Sequence, residues 1–324
     1  MKNFSSPPVD PSNPLTTKQP AFYGTDEHQT IIVVLLSLVM ALGFIANSAV
    51  ICALSQRQKQ SASVTNYLLM NISIADLLIA VIVIPLQFVN MFHGWPLGKF
   101  LCHTLAAFQD VIACVSVVIH TVIAMERYRA IVQPFKQRLS IRRTKQAIVI
   151  TWLVCYVAVG LPMALVLRVL LRGHTYTCEA QWSSDWTRQL FEVYLVVLFI
   201  LTPLIAQTYA YIYIVKTVSR EIVASADQSN DDNKRLMKAA LSKARVVKML
   251  IILVAAFYLL SLPRIFTMLI MEFGGDSIEN NLGFQYAVTV TIVIYCIKYV
   301  INPFIIFASS AELRTSCCLV FYRN

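Results

Sequence analysis

The sequence predicts an all-α membrane protein whose body is a bundle of seven spanning helices, and three observations lead there. Of its 324 residues 57% are hydrophobic and only 14% charged, with a mean hydropathy of +0.65, whereas soluble globular chains carry about 25% charged residues. Seven stretches are long and apolar enough to cross a hydrocarbon core about 30 Å thick, for which a helix needs roughly 20 residues. The apolar-polar alternation over about ten residues that marks a membrane barrel is absent. The same composition excludes a disordered chain, and nine Gly with twelve Pro exclude a collagen-like repeat.

Taken in order, a polar, Pro-rich tail over 1–29 leads into an uncharged run at 31–54. Further runs follow at 66–92 (interrupted by Asp76), 100–125 (Asp110), 146–167, 189–215 (Glu192), 249–271 (Arg264) and 284–308 (Lys298). Connections are short except for a polar stretch near 219–242, so the chain divides into a tail (1–29), a membrane domain (30–310) and a short terminal segment (311–324). The tail has no apolar h-region of a cleavable signal, so the first span is expected to direct insertion. Nineteen of the 27 Lys and Arg fall between spans on one side and six on the other, with Arg264 and Lys298 inside spans. Positive charge is retained in the cytoplasm, which places the amino terminus outside. The net charge of +10 is therefore topological and calls for no nucleic-acid partner. Asn3-Phe4-Ser5 is a glycosylation sequon in the outer tail.

Catalysis finds no support in the sequence. The five His make no ligand-spaced pair, no C-x-x-C occurs among eight Cys, and no nucleophile elbow or P-loop is present, so no metal or cofactor is expected. Polar residues at membrane depth are expensive and mark function instead. They are Asn47 in the first span, Asn71-Ile72-Ser73-Ile74-Ala75-Asp76-Leu77 in the second, Glu126-Arg127-Tyr128 ending the third, and Trp152 with Pro162 in the fourth. Pro203 and Tyr211 mark the fifth, Phe257 and Pro263 the sixth, Asn302-Pro303 the seventh.

Together these motifs resemble the class A, rhodopsin-like G-protein-coupled receptors over residues 30–321. The resemblance implies an extracellular ligand, a heterotrimeric G protein as the inner partner, and the plasma membrane as the location. It implies a bridge between Cys102 and Cys178, pinning the second outer loop over the bundle mouth. It implies that Glu126, Arg127 and Tyr128 form the coupling switch, as suits a guanidinium that can pair locally in one state and face a partner in another. Phe135, after Pro134, matches the position that packs on the G protein. Asp76, Ser116 and Asn302 resemble the family's sodium-binding set, and Asn47, Tyr211, Phe257 and Pro303 its internal switches. Ala311-Glu312-Leu313-Arg314 resembles a membrane-lying eighth helix, with Cys317 and Cys318 as palmitoylation candidates.

The mouth carries seven carboxylates (Asp110, Glu179, Asp185, Glu192, Glu272, Asp276, Glu279) against four basic side chains, which favours a cationic ligand. Amine receptors of the family have Asp where this chain has Gln109, although Asp110 lies only about 100° around the helix. The outer sequences Trp95-Pro96-Leu97-Gly98 and Cys178-Glu179-Ala180-Gln181-Trp182 resemble neuropeptide receptors. Gln109 and Glu272 resemble the pair by which the neuropeptide Y and RFamide group takes an amidated, Arg-containing peptide end. An amide suits a neutral donor and acceptor, and a guanidinium suits a carboxylate. An amine-like small molecule is the alternative ligand. A retinal-binding protein is the more distant one, since the opsin lysine position holds Cys296.

Three departures stand out. Ser261 replaces the toggle tryptophan, Ile306 replaces the tyrosine after Asn302-Pro303, and Lys243 stands where some members hold an acid against Arg127. Lys298, one turn before Asn302, is expected to pair with Asp76 and fill the sodium site with a tethered cation, since an isolated ammonium there is expensive.

Overall fold

The computed structural model describes residues 26–226, 231–274, 278 and 281–309. Among these, seven helices have the length and composition to cross a membrane: α1 (Gln29–Gln60), α2 (Val64–His93), α3 (Gly98–Val132), α4 (Ile141–Val166), α5 (Asp185–Ala226), α6 (Lys234–Phe273) and α7 (Leu282–Ser309). The helices begin where the sequence offers caps. Ser140 Oγ accepts the Arg143 N–H at 3.3 Å ahead of α4, and Ser184 with Thr187 forms a capping box ahead of α5. Arg57 and Lys59 sit in the last turn of α1, where the helix dipole favours cations.

Three helices widen by one turn just ahead of a proline. The π-turns Ile79–Val83, Tyr156–Gly160 and Val197–Leu201 precede Pro85, Pro162 and Pro203 respectively. A proline has no N–H and its ring displaces the carbonyl four residues earlier, so a wider turn is a way to absorb it. In α5 Val197 O accepts both the Thr202 backbone N–H across the wide turn and the Thr202 hydroxyl, the latter at 2.8 Å.

Two expectations change. The polar stretch at 219–242 is helical on both sides of 227–230, because α5 and α6 run past their apolar cores through segments rich in Ala, Leu, Lys and Arg, all strong helix formers. A hairpin, β1 (Leu167–Arg172) and β2 (Thr175–Ala180), also joins α4 to α5, with Arg172 opposite Thr175 across a two-residue turn opened by Gly173 at φ 59°. The amphipathic segment from Ala311, with Cys317 and Cys318, and the sequon at Asn3 lie outside the described residues.

Packing places α3 at the centre. Its Val115, Ile119 and Ile123 pack with Leu68 and Ile72 of α2, Ile214 of α5 and Leu250 of α6 in the largest buried cluster. Ile112 and the outer half of α2 form a second cluster with α1 and α7. Apolar side chains left uncovered, such as Ile45, Leu165 and Leu259, face outward as lipid contact requires.

Candidate functional site: a membrane-depth cavity and its two ends

At the outer end, Cys102 and Cys178 are disulfide-bonded with Cα atoms 5.7 Å apart, tying β2 to the start of α3. Trp95 is buried beside Cys102 and Leu167. Its backbone N–H donates to Tyr176 O at 2.6 Å and its indole N–H to Gly98 O at 2.9 Å. Gly94, at φ 69°, lets the chain pass so close to Tyr176 that a Cβ would collide with that carbonyl. The first two outer loops therefore form one covalently fixed lid.

Beneath it lies a cavity of about 480 Å³ that reaches from Trp95 and Cys178 down to Lys298. Gln109 and Asp110 of α3, Glu192 of α5, Arg264 of α6 and Lys298 of α7 all line it. The mouth's acids are otherwise engaged. Glu179 pairs with Arg172 at 3.1 Å, and Arg188 pairs with both Asp185 at 3.5 Å and Glu272 at 2.9 Å. Glu272 is 11% exposed, already holds a guanidinium from its own chain, and is not among the residues that line the cavity. Gln109, Asp110 and Glu192 thus line one cavity, while Glu272 lies outside its lining, paired with Arg188.

At the inner end the expected pair between Lys298 and Asp76 does not form. Lys298 is 2% exposed, and its ammonium lies 3.5, 4.6 and 4.8 Å from the ring centroids of Tyr295, Phe257 and Tyr299. It donates to Ser261 Oγ at 3.4 Å. The reason is geometric: Tyr295 and Tyr299 lie three residues before and one after Lys298 on α7, and with Phe257 from α6 they offer ring faces that stabilise a desolvated cation. Ser261, small where the family has a tryptophan, leaves the room. Asp76 Oδ2 instead accepts from Asn302 Nδ2 at 2.8 Å, while its Oδ1 has no partner among the described residues. Ser116 is buried, and Asn47 Nδ2 donates to Gly43 O and Tyr299 O, both at 2.9 Å, tying α1 to α7.

At the other end of the bundle, Arg127 is ion-paired with Glu126, and Tyr128 packs against Tyr209 and Tyr213 of α5 at centroid distances of 5.9 and 6.3 Å. Tyr211 is buried on the opposite face of α5. Lys243 pairs with Glu221 at 2.9 Å, joining α6 to α5 where the family can lock α6 to Arg127. Phe135 is fully exposed. Pro303 lies within α7 as a helix-interior proline.

Arg264 and the tyrosines beside Lys298 belong to none of the sequence motifs described above. Spacing holds the signal: Arg264 follows Ser261 by three residues, and Tyr295 precedes Lys298 by three, so each pair shares a helix face.

Comparison with known proteins fits this arrangement. Residues 46–306 match the 7 transmembrane receptor (rhodopsin family). Neuropeptide FF receptor 2 of Mus musculus is 27% identical over 256 residues, covering 76% of this chain and 61% of that protein. The pyroglutamylated RF-amide peptide receptor of Mus musculus is 26% identical over 283 residues, 83% of this chain and 64% of that protein. The substance-K receptor of Mus musculus is 29% identical over 230 residues, 70% and 59% respectively. The chain thus spans about six tenths of the length of these relatives. With the seven helices, the lid and the match over most of its length, the chain belongs to the rhodopsin family of seven-transmembrane receptors.

Proposed function

We propose that this protein is a plasma-membrane receptor activated by a cationic, C-terminally amidated peptide and signalling through heterotrimeric G proteins. The observation that carries the ligand class is the cavity wall of Gln109, Asp110 and Glu192, which sets an amide partner next to two carboxylates. The relatives' names, neuropeptide FF receptor and RF-amide peptide receptor, point the same way. Glu126, Arg127, Tyr128 and Phe135 form the inner end that meets the G protein. Asp76 with Asn302 and Ser116 forms the internal polar site between the two ends.

The test is a screen of amidated peptides on cells expressing the chain, reading calcium and cyclic AMP together. Cationic amidated peptides are expected among the hits. Hits that are all acidic would sink the ligand class, and a response confined to small amines would transfer Asp110, which also lines the cavity, to an amine site.

A further inference from the structure

The cavity is lined by charges of both signs: Asp110 on α3 and Glu192 on α5, Arg264 on α6 and Lys298 on α7. None of the four makes an ion pair within 4 Å with a described residue, although Glu179, Asp185 and Glu272 at the mouth do. Lys298 has three N–H donors and uses one, on Ser261 Oγ. Arg264 carries a buried Nη1 with no hydrogen-bond partner among the described residues. Buried polar groups without partners are costly, and a built site leaves them so where a ligand completes them. Ser261, Arg264 and Lys298 all line the cavity, Lys298 bonded to Ser261, and Arg264 one turn from Ser261 on the same face of α6.

From this we infer that the inner end of the pocket is an anion subsite, formed by Arg264, Ser261 and Lys298, that takes a carboxylate of the ligand while Asp110 and Glu192 take its cation. The inference rests on the proposed reading of this cavity as the ligand site and narrows the ligand class. The ligand is dipolar: a peptide carrying an acidic side chain as well as its basic one. A ligand that is only cationic would satisfy Asp110 and Glu192 and leave Lys298 and Arg264 facing one more positive charge. The aromatic cage supports the arrangement, because three ring faces hold the ammonium in place beside Ser261.

The probes are two pairs of tripeptide amides that differ by one carboxylate. Asp-Arg-Phe-amide is compared with Asn-Arg-Phe-amide, and Arg-Phe-Asp-amide with Arg-Phe-Asn-amide, so cation and amide stay constant. Their binding to the purified full-length receptor is read by thermal stabilisation. In at least one pair the Asp peptide is expected to bind about 10-fold more tightly, as a charge-assisted hydrogen bond predicts. That preference should fall to about 2-fold or less in Lys298→Met and in Arg264→Gln. Equal binding of both members of both pairs to the wild type overturns the subsite, whatever the variants do, and leaves the receptor reading to the cell screen. Failure of all four peptides to stabilise the wild type also overturns it. Stabilisation of the wild type by chloride over methanesulfonate at equal ionic strength, without any Asp preference, would assign these cations to a dissolved anion and remove the ligand's carboxylate from the proposal.

Discussion

An ammonium held among ring faces responds differently to removal than one locked to a carboxylate, and Lys298 is held by Tyr295, Phe257 and Tyr299. Breaking a dry ion pair with Asp76 would cost about 3 to 5 kcal/mol, because a buried charge would be left alone. In the observed geometry Asp76 keeps its bond from Asn302 whatever stands at 298. Lys298→Met therefore exchanges cation-π attraction, about 0.5 to 2 kcal/mol, against relief from burying a charge. We expect its unfolding free energy to stay within about 1 kcal/mol of wild type, measured by thermal unfolding in lipid nanodiscs. A loss of the size expected for a broken ion pair would place Lys298 on Asp76 after all. Glu272 needs a different measurement, since Arg188 already occupies it. Arg188→Gln and Glu272→Gln should weaken peptide response by similar factors, and the double variant should be no worse than either single one, giving a coupling of about 0.5 to 3 kcal/mol in a double-mutant cycle. Additive losses would mean that Glu272 contacts the peptide by itself.

At the scale of elements, the inner ends of α3, α5 and α6 are joined by side chains of very different strength. The Lys243–Glu221 pair is 47% and 35% exposed, and exposed pairs are worth about 0 to 1 kcal/mol, so it is a weak clasp between α5 and α6. The turn after α3 presents Phe135 with nothing packed on it. Truncating a fully exposed ring removes no internal contact, so Phe135→Ala should express at the surface and bind peptide as wild type does while G-protein activation falls. Arg127→Ala should lose signalling too. Full signalling from a normally expressed Phe135→Ala receptor would show that the loop is not a contact. The proline-associated π-turns of α2, α4 and α5 belong to this scale as well: each is a local answer to a missing N–H.

For the whole molecule, charge placement gives the direction expected across the membrane. Seventeen of the described Lys and Arg lie on the side that also carries Arg127 and Lys243, and the disulfide lies at the opposite end, where an oxidising compartment is required. An epitope placed before residue 26 should therefore be stained on intact cells, and one after residue 309 only after permeabilisation. The reverse pattern would invert the bundle and remove Phe135 and Arg127 from any cytoplasmic partner.

The sequence by itself determined the number of spans, their order and the identity of the family, because those depend on local quantities: apolar length, charge placement, and polar residues at fixed spacing within single helices. It also marked Gln109, Asp110 and Glu192, which do meet in one cavity, and Cys102 with Cys178, which are bonded. Tertiary structure alone decided which opposite charges touch. Lys298 and Asp76 share a depth, yet a difference of side-chain direction sends the ammonium to three aromatic rings. Glu272 and Arg188 come from different helices, and only the packing of α5 against α6 puts them 2.9 Å apart. Coulomb energy falls with distance and depends on what lies between the charges, so partners at membrane depth are fixed by the angles at which helices pack, which no linear spacing contains.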